Sequence, residues 1–177
     1  LHGVASGDPL SDRIVLWTRV TPPAGHTADI PVQWEVATDA AFGTIVAKGQ
    51  ASATEAKDFT VKVDATGLQP ATAYHFRFSA YAARSATART RTLPTGSVAQ
   101  VKLAVFSCAN YPAGYFNAYA DAARRNDLDA TVHLGDYLYE YPRGGYASAN
   151  AERLGRLSLP ASEIVTLTDY RTRHAQY

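Results

Sequence analysis

The sequence predicts a β-sandwich followed by the opening βαβ portion of an α/β layer, an α+β chain of more than one domain. Three observations carry that prediction. Short runs of period-two alternation, bounded by Gly, Pro, Asp, Ser and Thr, recur up to about residue 92. The stretch Leu93-Pro94-Thr95-Gly96-Ser97 then has the composition of a linker. Beyond it, strand, helix and strand follow one another within about thirty-five residues, the pattern of a βαβ unit with parallel strands. The expected domains are therefore 1–95 and 96–177.

Each element has its own signal. Residues 14–18 (Ile-Val-Leu-Trp-Thr) are a compact apolar run after the turn-rich Ser6-Gly7-Asp8-Pro9. Residues 32–36 alternate and place Val32, Trp34 and Val36 on one face. Residues 44–47 and 59–63 repeat the pattern, residues 74–81 turn Tyr74, Phe76 and Phe78 inward and His75 outward to solvent, and a last strand covers 86–92. In the second part, residues 101–106 are apolar on both faces apart from Lys102, as suits a central buried strand. Residues 116–125 have helical spacing, with Phe116, Tyr119, Ala120 and Ala123 on one face. Residues 129–134 form a second strand that ends at Gly135-Asp136.

Composition narrows the function classes. Lys and Arg total 17 against 16 Asp and Glu in 177 residues, a net charge of +1. The charges are even along the chain, with nine basic and eight acidic side chains in 1–96 and eight of each after that. Such a balance predicts no stable nucleic-acid complex and no attraction to an anionic membrane. No apolar run reaches the roughly 18–20 residues of a membrane-spanning helix. One cysteine excludes an internal disulfide framework, and no Cys/His zinc spacing occurs. Neither GxGxxG nor GxxxxGK[ST] is present, which argues against a glycine-loop nucleotide site. The opening on Leu1, without Met or a signal segment, is read as a processed or trimmed N-terminus.

The chemistry gathers at two strand ends. The first strand of the α/β part runs into Cys108 and the second into Asp136, and carboxyl ends of neighbouring parallel strands are where sites collect. Tyr139 lies three residues on, close enough to return to the same point. Thiolate, carboxylate and phenolate together favour a trivalent Lewis-acidic ion such as Fe(III) over Ca²⁺ or Mg²⁺ at that position. Taken singly, Gly-Asp is a common turn and a lone Cys after a buried strand is commonly an inert thiol; the combination points to a site. Asn110 could bond a phosphate oxygen, although loop capping is its commoner role, and Arg143 could guide an anion, although a solvated loop arginine is the plainer reading. His133 reads as a structural histidine, residues 147–150 as a mobile loop, and Asp169, Arg171, Arg173 and His174 as surface pairing and packing on a helix.

Two resemblances add to this reading. The run Gly67-Leu68-Gln69-Pro70-Ala71-Thr72-Ala73-Tyr74 resembles the fibronectin type III pattern, with Tyr74 placed for a tyrosine corner. The segments Phe106-Ser107-Cys108, Gly114-Tyr115-Phe116 and His133-Leu134-Gly135-Asp136-Tyr137-Leu138-Tyr139-Glu140-Tyr141 resemble the PhoD-like alkaline phosphatase/phosphodiesterase family. The opening Gly3-Val4-Ala5-Ser6-Gly7-Asp8-Pro9 with Leu16-Trp17-Thr18-Arg19, and the closing Asp169-Tyr170-Arg171 with Arg173-His174-Ala175-Gln176-Tyr177, extend that similarity over the whole chain. It implies a secreted, periplasmic or cell-wall monomer, exported with a signal peptide absent from this sequence. It also implies a metallophosphatase domain with Fe(III) and Ca²⁺, acting on a small-molecule, lipid or nucleotide phosphate ester. By resemblance Cys108, Asp136 and Tyr139 are iron ligands, and Asp136, the catalytic carboxylate, also bridges to calcium. The family's later metal-binding loops lie past Tyr177, so the chain is expected to be an N-terminal portion and to be catalytically silent alone. The alternative is a non-catalytic fibronectin-like binding module carrying a vestigial α/β segment.

Overall fold

In the computed structural model, which describes residues 1–177, the alternating segments of the first half form two antiparallel sheets. One sheet has the order β1-β2-β5, from β1 (Val4–Gly7), β2 (Arg13–Arg19) and β5 (Thr60–Thr66). The other runs β4-β3-β6, from β4 (Ile45–Ala53), β3 (Ile30–Ala37) and β6 (Ala73–Ala80), and both β7 (Ala83–Arg84) and β8 (Ala88–Arg91) pair with β6. The alternation does what period two requires. Ile14 and Leu16 from β2, Val61 and Val63 from β5, Val32 and Val36 from β3, and Tyr74, Phe76 and Phe78 from β6 form one buried cluster between the sheets. This is a fibronectin type III-like sandwich, and it occupies the compact unit Leu1–Val98. β1 and β7 carry no apolar alternation and are not legible as strands in the sequence.

Tyr74 is 2% exposed, and its Oη accepts a hydrogen bond from Gln69 N at 2.8 Å, closing the tyrosine corner. Tyr74→Phe strands that part-buried N–H and is expected to lower stability by about 1–3 kcal/mol, read by thermal unfolding. Trp34 lies on the expected face but at the margin of the core, partly buried and laid across the opposing Gly49. A Cβ at Gly49 would stand 2.8 Å from Trp34 Cζ2, so only glycine admits the indole there. The outward His75 is not solvated as expected. It is half-buried, and its Nδ1 is enclosed without a hydrogen-bond partner, because Ala37 of β3 and Arg89 of β8 flank it in the sheet.

The second unit, Ala99–Tyr177, holds β9 (Leu103–Phe106), α1 (Asn117–Arg124), β10 (Ala130–His133) and α2 (Leu167–His174). β9 and β10 pair in parallel, Leu103 opposite Ala130 and Phe106 opposite His133. Phe106 meets Tyr119 of α1 edge to face, with ring centroids 4.8 Å apart. The buried-strand pattern of 101–106 is not matched by burial. Leu103 is 51% and Val105 55% exposed, because the sheet here has two strands and a single short helix against it. What packs the unit is aromatic: Tyr177 sits 5.5–5.6 Å from the rings of Tyr111, Phe116 and Tyr137. α2 begins with a capping box, in which Thr166 Oγ1 accepts from Asp169 N and Asp169 Oδ2 accepts from Thr166 N. No helix is long and apolar enough to cross a membrane.

Candidate metal centre

Both strands of the parallel pair leave the sheet through left-handed residues. Cys108 has φ 62° and Asp136 has φ 53°, preceded by Gly135 at φ 120°. For a non-glycine residue that conformation costs roughly 1–2 kcal/mol. Two such residues side by side need support, and the backbone supplies it. Leu134 N donates to Phe106 O (2.8 Å), Cys108 N to Gly135 O (3.1 Å), and Ala109 N to Asp136 O (2.8 Å), so the two loops stay laced together past the end of the sheet.

The side chains converge accordingly. Cys108 Sγ donates to Asp136 Oδ2 at 3.6 Å, and Tyr139 Oη donates to the same oxygen at 3.1 Å. Cys108 and Asp136 are exposed and Tyr139 is half-buried. Donor atoms bonded to one first-row cation at about 2.0–2.3 Å, with angles near 90–110°, stand about 3.0–3.6 Å from one another, and both separations from Asp136 Oδ2 lie in that range. No three His, Cys, Asp or Glu side chains cluster as a metal group in the chain, and the third donor here is a phenol. The hydrogen bond to Cys108, then desolvation and the bond to Asp136, push the Tyr139 phenol well above its ordinary pKa. The phenol is protonated at neutral pH, as its donation to Asp136 Oδ2 requires.

The other sequence-derived candidates have different partners. Asn110 Nδ2 makes a long 3.5 Å bond to Tyr146 O, and its side chain does not cap the short 3-10 turn Tyr111–Ala113 that it precedes. Arg143 joins its loop to the 158–161 segment, donating from Nη2 to Ser158 O at 3.3 Å and from its backbone N to Ala161 O at 2.8 Å. His133 is satisfied structurally, with Nε2 against Tyr119 Oη at 2.9 Å and Nδ1 accepting from Gly135 N at 3.3 Å. In the 147–150 segment, Ser148 bonds Gly145 O through Oγ (2.7 Å) and Ala151 N through its carbonyl (2.9 Å).

Two arginines that matter locally escape a sequence reading. Arg156 lies over the Tyr111 ring at 3.8 Å and donates from Nε to Tyr111 O at 2.7 Å, bracing the loop that follows Cys108. Arg173, expected among surface-pairing residues, is 2% exposed. Its spacing on α2 gives no hint of that, because the loops that enclose it, at 139–141 and 159–160, are far away in sequence.

Residues 1–94 match the family model for the PhoD-like phosphatase N-terminal domain, and residues 103–177 match the model for PhoD-like phosphatase. Alkaline phosphatase D of Bacillus subtilis (strain 168) is 43% identical over 182 residues, which covers 99% of this chain and 30% of that protein. A solved structure of PhoD has a TM-score of 0.90 at 43% identity, covering 99% of this chain and 34% of the other. The chain thus spans about a third of the length of these two relatives.

Proposed function

The chain belongs to the PhoD-like phosphatase family, and from that membership we propose that it is the N-terminal portion of an exported, metal-dependent phosphoesterase. The observation that carries the proposal is the convergence of Cys108 Sγ (3.6 Å) and Tyr139 Oη (3.1 Å) on Asp136 Oδ2 at the ends of two parallel strands. Cys108, Asp136 and Tyr139 would hold Fe(III), and Asp136 would also face Ca²⁺. When bound, these ions supply Lewis-acid polarisation of a phosphoryl oxygen and acidification of a water.

The chain's own residues set the terms of that binding. Three anionic donors at one point call for a highly charged cation, and loading it requires Cys108 and Tyr139 to release their protons. Iron affinity therefore rises with pH, since protons and metal compete for the same atoms. Asn110, whose amide makes only the long bond to Tyr146 O, is free to turn toward a phosphate oxygen beside Cys108. Arg143 contributes positive charge from a loop fixed by Ser158 and Ala161. Substrates of this centre are phosphate mono- or diesters, small, nucleotide or lipid in their leaving group.

The test uses the full-length protein, assayed for bound iron and for hydrolysis of an aryl phosphate monoester, a nucleic-acid diester and a phospholipid headgroup ester. Iron together with turnover on at least one of them is the expected result. Iron-loaded protein inert on all three would overturn the activity. Tyr139→Phe is expected to remove or strongly blue-shift any visible band of the iron-loaded protein, and the 177-residue chain alone is expected to be catalytically silent.

A further inference from the structure

The last turn of α2 carries a cation that is almost wholly out of solvent. Arg173 is 2% exposed and commits its guanidinium to backbone carbonyls: Nε to Leu159 O (2.8 Å), Nη2 to Pro160 O (3.2 Å) and Tyr141 O (3.3 Å), and Nη1 to Tyr139 O. The carbonyl between the last two, Glu140 O, accepts from Ile164 N at 3.1 Å. The Glu140 carboxylate accepts from Tyr170 Oη at 3.0 Å. Three consecutive carbonyls, at 139, 140 and 141, are thus all held by residues 164–173. The first belongs to Tyr139, whose phenol reaches Asp136 Oδ2.

We infer that Arg173 is a positioning residue for the candidate metal centre: it fixes the main chain at Tyr139 so that the phenol stands against Asp136. The iron arm of its test rests on the metal reading above; the geometric arm does not. A planar guanidinium with donors in a fixed fork defines both the place and the orientation of what it binds, which an ammonium on a flexible stem does not. Bonds from a charged donor are also roughly twice as strong as neutral ones. A buried arginine directed onto one loop therefore holds that loop more firmly than packing alone. Partners that orient metal-binding side chains typically matter about 10–100-fold in metal affinity.

The experiment places 3-fluorotyrosine at position 139 of the full-length protein. It reads the ¹⁹F resonance without metal, and iron affinity separately by chelator competition. Arg173→Gln carries no charge into the interior and so folds more readily; Arg173→Lys keeps the charge and loses the fork. Thr166→Ala removes the capping box of α2 without touching the carbonyls at 139–141 and serves as the stability control. Both Arg173 variants are expected to move the 139 resonance toward that of free fluorotyrosine and to weaken iron binding about 10–100-fold. Thr166→Ala is expected to leave the resonance in place and iron affinity within about twofold. An unmoved resonance in Arg173→Gln would overturn the inference, as would an equal displacement in Thr166→Ala. If the parent binds no iron while Arg173→Gln still displaces the resonance, the metal reading fails and the positioning role stands.

Discussion

Asp136→Asn in the full-length protein is expected to abolish bound iron and ester hydrolysis together, with turnover falling at least about a thousandfold. Loss of an outer partner of a metal ligand already costs about 10–100-fold, and Asp136 stands at the centre of the group. Its Oδ2 is the oxygen on which both Cys108 Sγ and Tyr139 Oη converge. Asparagine is the informative replacement because Asp136 sits at φ 53°, a left-handed conformation that Asn tolerates and Ala does not. The backbone bonds Cys108 N to Gly135 O and Ala109 N to Asp136 O involve no side chain and should survive. The variant therefore removes charge while keeping shape, and its thermal midpoint should stay close to that of the parent. Metal content by elemental analysis and turnover on a phosphate ester are the measurements. Full iron occupancy in Asp136→Asn would remove this residue from the centre.

The parts of this architecture that were legible in the sequence are either local or follow from a general rule of topology. The apolar run 14–18 and the period-two alternation in 32–36 and 74–81 mark strands, and one face of each is buried against its own domain. Tyr74 was legible because its partner, Gln69, is five residues away. Cys108 and Asp136 were placed together by a general rule of parallel strands, and Tyr139 by its short distance from Asp136. The remainder depends on contacts across long stretches of chain. Tyr177 closes the aromatic cluster from 66 residues beyond Tyr111, and its Oη accepts from Tyr111 N. Arg173 bonds carbonyls 34 and 32 residues earlier, at Tyr139 and Tyr141. No window of helical periodicity separates such an arginine from a solvated one. The β9 strand shows the converse limit. Its apolar pattern states what a strand is suited to, and Leu103 and Val105 at 51% and 55% exposure show that burial also needs a covering layer.

The sandwich carries the second large effect, because its stability rests on its own core. Every member of the buried cluster lies between Ile14 and Ala80, inside the Leu1–Val98 unit. A segment of residues 1–98 expressed alone is therefore expected to unfold in one cooperative transition with β-type circular dichroism. Phe78 is the residue on which to probe it. Its side chain is 0% exposed, it faces Trp34 across the β3–β6 pair, and its ring meets Phe76 edge to face with centroids 6.3 Å apart. Phe78→Ala removes the buried ring and leaves a cavity between two sheets whose hydrogen-bonded ladders limit how far they can collapse, at a cost of about 3–5 kcal/mol. Domains of this size hold roughly 5–15 kcal/mol in all, so the loss takes a large share and lowers the thermal midpoint on the order of 20 °C. Tyr74→Phe, which removes one hydroxyl and keeps the ring, should fall well below that. If Phe78→Ala and Tyr74→Phe were equally mild, the sheets would not be held by the aromatic row of β6. A 1–98 segment without a cooperative transition would place part of the stabilising contacts outside the cluster between Ile14 and Ala80.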